Sequence, residues 1–288
     1  SGMLQTLSAS KKTISNSIGT LQKAYCELPT SAHFGFDDIT AVLNNTLQAA
    51  NLPTMQLSDV IALMGALVGG WPDGVCDDLQ VHIHGRIDRM ETRTHADGST
   101  SMRVLDYKTG KALSASGVFN DLQLVCYQLA LVFADEKPLI SNPHAPTIAR
   151  SMLFHVVYND TPAQDHNVAE NVYQPPLFVG NMLNNNPPES RVGFKTMSRL
   201  FDNPQREKLL SERPEGVSEQ AWQSFRCLSE TAQWSLNMIA RVCYAAAVVR
   251  SQRIVAHPTS QHVQYCRLQQ VCPACAGRLD TVYEVRQS

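Results

Sequence analysis

Two aspartates and a lysine carry the chemistry this chain could do. Asp106 and Lys108 stand two apart in Leu-Asp-Tyr-Lys-Thr-Gly. On a strand that spacing turns both side chains to one face. Asp88 lies upstream, in Gly-Arg-Ile-Asp-Arg-Met-Glu. If the two runs pair in an ordinary register, the carboxylates of Asp88 and Asp106 meet beside backbone carbonyls, that of Tyr107 among them. Such an oxygen-rich site suits magnesium or manganese. A lysine beside it can position or activate an attacking water, or offset developing negative charge. These are the parts of metal-assisted phosphodiester hydrolysis. Asp-x-Lys alone is a common tripeptide, and taken by itself reads more readily as an ion pair on an exposed strand.

The elements that would position these groups are legible around them. From Val81 to Glu91 apolar residues (Val81, Ile83, Ile87) alternate with polar ones (His82, His84, Arg86, Asp88), the period of a half-buried strand. By that period His82 and His84 share a face with Asp88; they could line a cleft or simply be half-exposed strand positions. His95-Ala96-Asp97-Gly98-Ser99 is turn chemistry, with Asp-Gly supplying a positive φ. Arg103 to Lys108 is the return strand. From Phe119, the residues Leu122, Val125, Cys126, Leu129 and Val132 recur at helical spacing and predict one buried helix face. Gln123 and Tyr127 sit on that helix. Thr147 to Tyr158 is β-prone and predicts a third strand.

The order of these segments resembles the PD-(D/E)XK nuclease superfamily, and within it the RecB/AddB-like nuclease domains attached to DNA helicases. The strong resemblance runs from Val81 to Ala130. It implies that Asp88 is the first-motif aspartate, that Asp106 and Lys108 are the (D/E)-x-K pair, and that Gln123 and Tyr127 are the Q-x-x-x-Y helix motif. It implies an α/β fold with a restriction-endonuclease-like core, a central mixed β-sheet flanked by helices. Asp88, Asp106 and the Tyr107 carbonyl would hold magnesium or manganese, with Gln123 and Tyr127 shaping the cleft or touching the DNA backbone. The substrate implied is DNA at single-stranded ends, attacked as an exonuclease would, with a helicase motor in the parent protein or a partner chain. Arg86 and Arg89 flank the aspartate and could bind DNA or be solvated. The family also carries a metal-ligating histidine in a G-x-x-x-H setting ahead of the first aspartate. Here His33 is the one histidine in place to serve, and no glycine precedes it by four.

Composition sets the bounds. The 288 residues, 43% of them hydrophobic, suffice for one large domain or two small ones. The division expected is a helical N-terminal region over 1–75, a nuclease core over 76–160, an irregular insertion over 161–216, and a C-terminal helix with a cysteine-containing tail over 217–288. Ile14, Ile18, Leu21 and Ala24 predict helix near the start. Phe36 to Ala50 and Leu57 to Val68 predict two more, and Trp222, Phe225, Leu228, Ala232, Leu236, Ile239 and Val242 predict a long one with a core-packing stripe. The net charge of −2 does not advertise nucleic-acid binding, but residues 241–288 carry six Arg against two acids. No run is long enough for a transmembrane helix, and no signal peptide or G-x-x-x-x-G-K-[ST] is present. Ser1-Gly2-Met3 resembles an expression scar, as expected of a piece of a longer protein.

Eight scattered cysteines without an export signal suggest reduced thiols in the cytoplasm. Cys126 and Cys243 fall on apolar helix faces. Cys266, Cys272 and Cys275 cluster in the tail. AddB-like members of the resembled family hold an iron–sulfur cluster through a C-terminal C-x-x-C-x5-C and one earlier cysteine. Cys266 and Cys272 match the x5 pair, but Val263 takes the preceding cysteine's place. A degenerate site, an iron–sulfur cluster completed by a distant thiol such as Cys26, and a zinc site with His262 all remain open. These departures also keep open a second class of function, a catalytically inactive nuclease-like module that binds DNA or a partner.

Overall fold

The computed structural model describes residues 19–75, 77–110, 113, 115–142, 145–155, 173–187 and 211–251. At its centre is one mixed sheet. Strand β1 is Thr20–Gly35, β2 is Gln80–Thr94, β3 is Thr100–Lys108 and β4 is Thr147–His155. They lie in the order β1-β2-β3-β4; β1 to β3 are successively antiparallel, and β3 and β4 are parallel. Helices α1 (Phe36–Ala49) and α2 (Leu57–Val68) precede β2. Helices α3 (Ala115–Phe119) and α4 (Leu122–Val132) make the crossover from β3 to β4. Helices α5 (Glu219–Cys227) and α6 (Glu230–Arg250) follow. The unit that holds the sheet ends at Ala247. This is the α/β arrangement expected, a mixed sheet flanked by helices. Among the described residues no helix is long and apolar enough to cross a membrane.

The N-terminal region differs from its prediction. The spacing of Leu21 and Ala24 suggests helix, yet residues 20–35 form a strand paired with β2 from Thr20↔Thr94 to Gly35↔Gln80. Long-range pairing overrides a weak local period. β1 is an edge strand, which is why Pro29, lacking an N–H, is tolerated within it. The helices after it are as read. Asp38 accepts a hydrogen bond from the Gly35 N–H at 2.8 Å, and Asp37 joins it in the first turn of α1.

The helix predicted from Phe119 starts only at Leu122, with Phe119 ending a separate short helix, and the long helix predicted near the C-terminus is broken in two. Asp121 caps α4 by accepting from the Leu124 N–H at 2.9 Å, which separates it from α3. Ser229 caps α6 in the same way through the Ala232 N–H, 3.1 Å away, and parts it from α5. The predicted stripe nevertheless faces the core throughout. Trp234 is fully buried and meets Phe119 with ring centroids 4.6 Å apart, which locks α6 against the crossover. Asp59 of α2 takes both the N–H and the hydroxyl of Ser218, fixing the start of α5.

The described part of the predicted insertion is not an excursion on the surface. Phe178–Val179 (β5) and Met182–Leu183 (β6) form a small antiparallel pair. Leu177, Phe178 and Leu183 are core residues. Gln174, fully buried, exchanges backbone hydrogen bonds with Ser151 of β4, and its side chain donates to the carbonyls of Phe119 and Asp121, each at 3.0 Å. Two buried glutamines, Gln174 and Gln128 of α4, thus pin this segment to the crossover helices.

β2 bends where it matters. Val81 and Ile87 are buried and His82, His84 and Arg86 exposed, as a two-residue period requires. Past Asp88 the phase shifts: Met90, three residues beyond Ile87, packs against the same apolar cluster. Opposite Asp88, between the pairs Cys26↔Arg89 and Leu28↔Ile87, stands Glu27 of β1 with a φ of 52°. A non-glycine residue in the left-handed region costs roughly 1–2 kcal/mol. Glu27→Gly is therefore expected to stabilise the protein by about 0.5–1 kcal/mol, once the added freedom of the unfolded chain is counted. Glu27→Val should destabilise it. Urea unfolding of the two variants checks the pair; equal effects would mean the kink is not strained.

Candidate active site

β3 is the central strand, and from Ser101 to Asp106 it is buried on both faces. Its two ends emerge, Thr100 at the turn and Tyr107 and Lys108 at the other end. Asp106 is 2% exposed, while Lys108 next along the same face is half-buried. The β2–β3 ladder ends at Arg89↔Leu105. One step on, Asp88 stands opposite Asp106. There the backbone pairing is replaced by a side chain: the Asp88 carboxylate accepts from the Tyr107 N–H at 2.8 Å. The N–H and C=O of one strand residue point to the same side, so the Tyr107 carbonyl turns toward Asp88 as well.

Helix α4 supplies the other side of the site. Gln123 and Tyr127 are four apart and so share a helix face. Both reach Asp106 Oδ1: the Gln123 amide donates at 2.9 Å and the Tyr127 hydroxyl at 2.9 Å. Gln123 also donates to the Tyr127 hydroxyl at 2.7 Å and accepts from Lys108 Nζ at 2.6 Å. Lys108 Nζ is 2.7 Å from Asp106 Oδ2. Burial, and then the Asp106 carboxylate at its hydroxyl, push the Tyr127 phenol well above its ordinary range, so it stays a protonated donor. A carboxylate this deep is tolerated because a cation and two neutral donors face it.

The arrangement fits a hard divalent cation. Asp106 Oδ2 is within charge-pair distance of Lys108, but it is buried without a directed hydrogen bond. Distance and direction disagree here; the ion pair is real, and the oxygen still has a lone pair to offer. With the Asp88 carboxylate and the Tyr107 carbonyl, every donor on offer is a hard oxygen. Among the described residues no three Asp, Glu, His or Cys side chains gather into a metal-binding group. Magnesium's usual mode is one or two carboxylates completed by water and substrate phosphate.

The family model of the PD-(D/E)XK nuclease superfamily matches residues 47–273. The chain belongs to the PD-(D/E)XK nuclease superfamily. No curated protein matches it. Members of the superfamily generally hydrolyse phosphodiester bonds and typically use magnesium or manganese. The matched span holds all five residues that converge here: Asp88, Asp106, Lys108, Gln123 and Tyr127.

Other predicted residues lie elsewhere. His33 precedes the matched span and is not brought to this cluster. It pairs with His82, six residues along β2 from Asp88, and binds Asp135 through Nδ1 at 2.5 Å. The helix ahead of the hairpin, α1, follows Gly35, and four residues after that glycine stands Ile39, fully buried. His82 and His84 do not share the face of Asp88, because the phase shift at Asp88 intervenes. His84 meets Ser31, which also donates to Asp135. Arg86 is exposed, 3.5 Å from Glu27, whereas Arg89 is tied to Glu91 at 2.8 Å. Cys266, Cys272 and Cys275, with His262, lie outside the described residues. Cys243 is a core thiol, pushed up to about 12 by burial, whereas Cys126 is half-buried against the core and its thiol is raised.

Sequence reasoning missed Glu91. It is 4% exposed on β2; Arg89 and Arg93 each donate to it at 2.8 Å, and the Arg103 guanidinium of β3 lies 3.9 Å away as an ion pair. The signal was available in Arg-x-Glu-x-Arg, whose charges share one face of a strand.

Proposed function

We propose that this protein is a magnesium- or manganese-dependent deoxyribonuclease that works at single-stranded DNA ends, as the nuclease domain of a DNA-repair or recombination helicase–nuclease of the RecB/AddB-like kind. The observation that carries the reading is the convergence of Lys108, Gln123 and Tyr127 on the buried Asp106, beside Asp88 at the open end of the ladder. The Q-x-x-x-Y helix contributes two of these groups, which supports the RecB-like subtype. A helicase motor would be supplied by another part of the parent protein or by a partner.

Asp88, Asp106 and the Tyr107 carbonyl would hold the cation. When bound, it would act as a Lewis acid toward the scissile phosphate and neutralise charge developing there. Lys108 is held in place from two sides, by Gln123 and by Asp106, and its ammonium orients the attacking water. Tyr127 fixes the carboxylate of Asp106 in one rotamer. Gln123 couples the two.

The test is degradation of end-labelled single-stranded and duplex DNA, with RNA alongside, in magnesium, manganese or EDTA. Metal-dependent shortening of the single strand, stopped by EDTA, is the expected result. A folded protein that cuts none of these substrates with either metal would sink the proposal.

A further inference from the structure

Asp88 reaches Asp106 because two strands change face together. On β2 the residues that pack against the apolar cluster under α4 are Ile87 and then Met90, three apart. On β1 Leu28 packs against the same cluster, and Tyr25, three residues before it, pairs with Met90. Paired residues of antiparallel strands share a face, so β1 makes the same odd step. A regular strand returns to a face every second residue. Yet the register is unbroken, from Tyr25↔Met90 through Cys26↔Arg89 to Leu28↔Ile87. No residue is inserted in either strand, and the change of face falls at the rung of Glu27 and Asp88. By the period before that rung, Asp88 would share the exposed face of His82, His84 and Arg86.

Glu27 is where the backbone departs from the strand, with a φ of 52°. The other described non-glycine residues at positive φ are Asn51, which follows the end of α1, and Lys137, in the loop after α4. Helix ends and loops take up such residues readily. Inside a strand a left-handed residue is costly and persists only where the structure around it requires it. The Glu27 carboxylate does not supply the requirement. Its side chain is 64% exposed and lies 3.5 Å from Arg86, which is 64% exposed itself. What Glu27 contributes is its backbone.

We infer that Glu27 is a positioning residue for Asp88: its left-handed backbone turns the shared rung so that the Asp88 carboxylate meets the end of β3 beside Asp106 instead of pointing from the outer face of the sheet. Resting on the nuclease reading, this adds to it the residue that brings the first aspartate to the cation.

The test has two readouts on the full chain. The first needs no metal. It is hydrogen exchange of the Tyr107 amide, which donates to Asp88, compared with the amides before it on β3. The second is the affinity for manganese, read from the free-ion signal in electron paramagnetic resonance. Glu27→Gly and Glu27→Asn, both tolerant of positive φ, should keep the wild-type values of both. Glu27→Val should expose the Tyr107 amide selectively and weaken manganese binding by about tenfold or more, toward the level of Asp88→Asn. Circular dichroism shows whether each variant folds, and Glu27→Ala, a milder change, takes the place of Glu27→Val if that variant does not. A folded Glu27→Val with a protected Tyr107 amide and wild-type manganese affinity would overturn the inference. So would an equal loss in Glu27→Gly, or a general speeding of β3 amides with manganese affinity unchanged, which is what a merely structural role would give. Wild-type manganese affinity in Asp88→Asn would remove the cation reading, while the Tyr107 amide would still decide whether Glu27 positions Asp88.

Discussion

Lys108→Ala should reduce DNA cleavage by a factor of about a hundred or more, the scale expected when a positioned proton-transfer or charge-stabilising group is lost. The fold should survive. Asp106 would keep its hydrogen bonds from Gln123 and Tyr127, each 2.9 Å from Oδ1. Its other oxygen would lose the ammonium. Removing one partner of a fully buried ion pair costs roughly 3–5 kcal/mol. Here the lysine side chain is 34% exposed and its attraction is screened, so a cost of about 1–2 kcal/mol is expected. Lys108→Arg should be nearly as inactive. The planar guanidinium cannot present a compact charge between Gln123 Oε1 and Asp106 Oδ2 without displacing one of them. Single-turnover cleavage with both metals, paired with urea unfolding, measures both effects. Wild-type cutting by the alanine variant would remove Lys108 from the active site, and with it the assignment built on Asp106.

The hairpin was legible because three independent signals agreed over one stretch: the two-residue period, the Asp-Gly turn and the helical period after it. The turn forms at His95–Ser99, with Gly98 at a φ of 82° and Asp97 accepting from the Ser99 N–H at 2.9 Å. Asp106, Lys108, Gln123 and Tyr127 were legible for the same reason, since strand and helix periods fix which side chains share a face. What could not be read depends on long-range pairing. β1 is a strand because β2 pairs with it along its whole length, and nothing local to Leu21 or Ala24 says so. The phase shift at Asp88 is set jointly by β2 and by the left-handed Glu27 across from it, so extrapolating one strand's period placed His82 and His84 on the wrong face. The caps Asp121 and Ser229 carry ordinary N-cap chemistry, but the unbroken apolar periods on either side hid them. Residues 173–187 show no sustained period because their core contacts are divided between three apolar side chains, Leu177, Phe178 and Leu183, and the buried glutamines Gln174 and Gln128 that bond their backbone and side chains.

Glu91→Ala should be the most destabilising single change on the sheet. The carboxylate faces three guanidinium groups, two of them at 2.8 Å, and its side chain is 6% exposed. Arg93 and Arg103 are themselves 13% and 7% exposed. Deleting the acid would take from Arg89 and Arg93 the carboxylate that both of them bond and leave their charges together with little access to water, at a cost of about 3–5 kcal/mol. Because Arg103 comes from β3 and the others from β2, the loss would fall on the ladder that holds Asp88 opposite Asp106. Glu91→Gln keeps the shape and one acceptor and should cost less. The acid limb separates charge from packing. Burial works against the charged carboxylate, but hydrogen bonds from Arg93 and Arg89 outweigh it and hold the group below the usual glutamate range. A depressed folded-state value means that the stabilisation is fully present above the unfolded value of about 4.3 and is lost as pH falls through the folded one. Wild-type unfolding free energy should therefore decline below about pH 4.3 more steeply than that of Glu91→Gln. If the two decline in parallel, Glu91 is not the group being titrated, and the cost of Glu91→Ala would have to be one of packing alone.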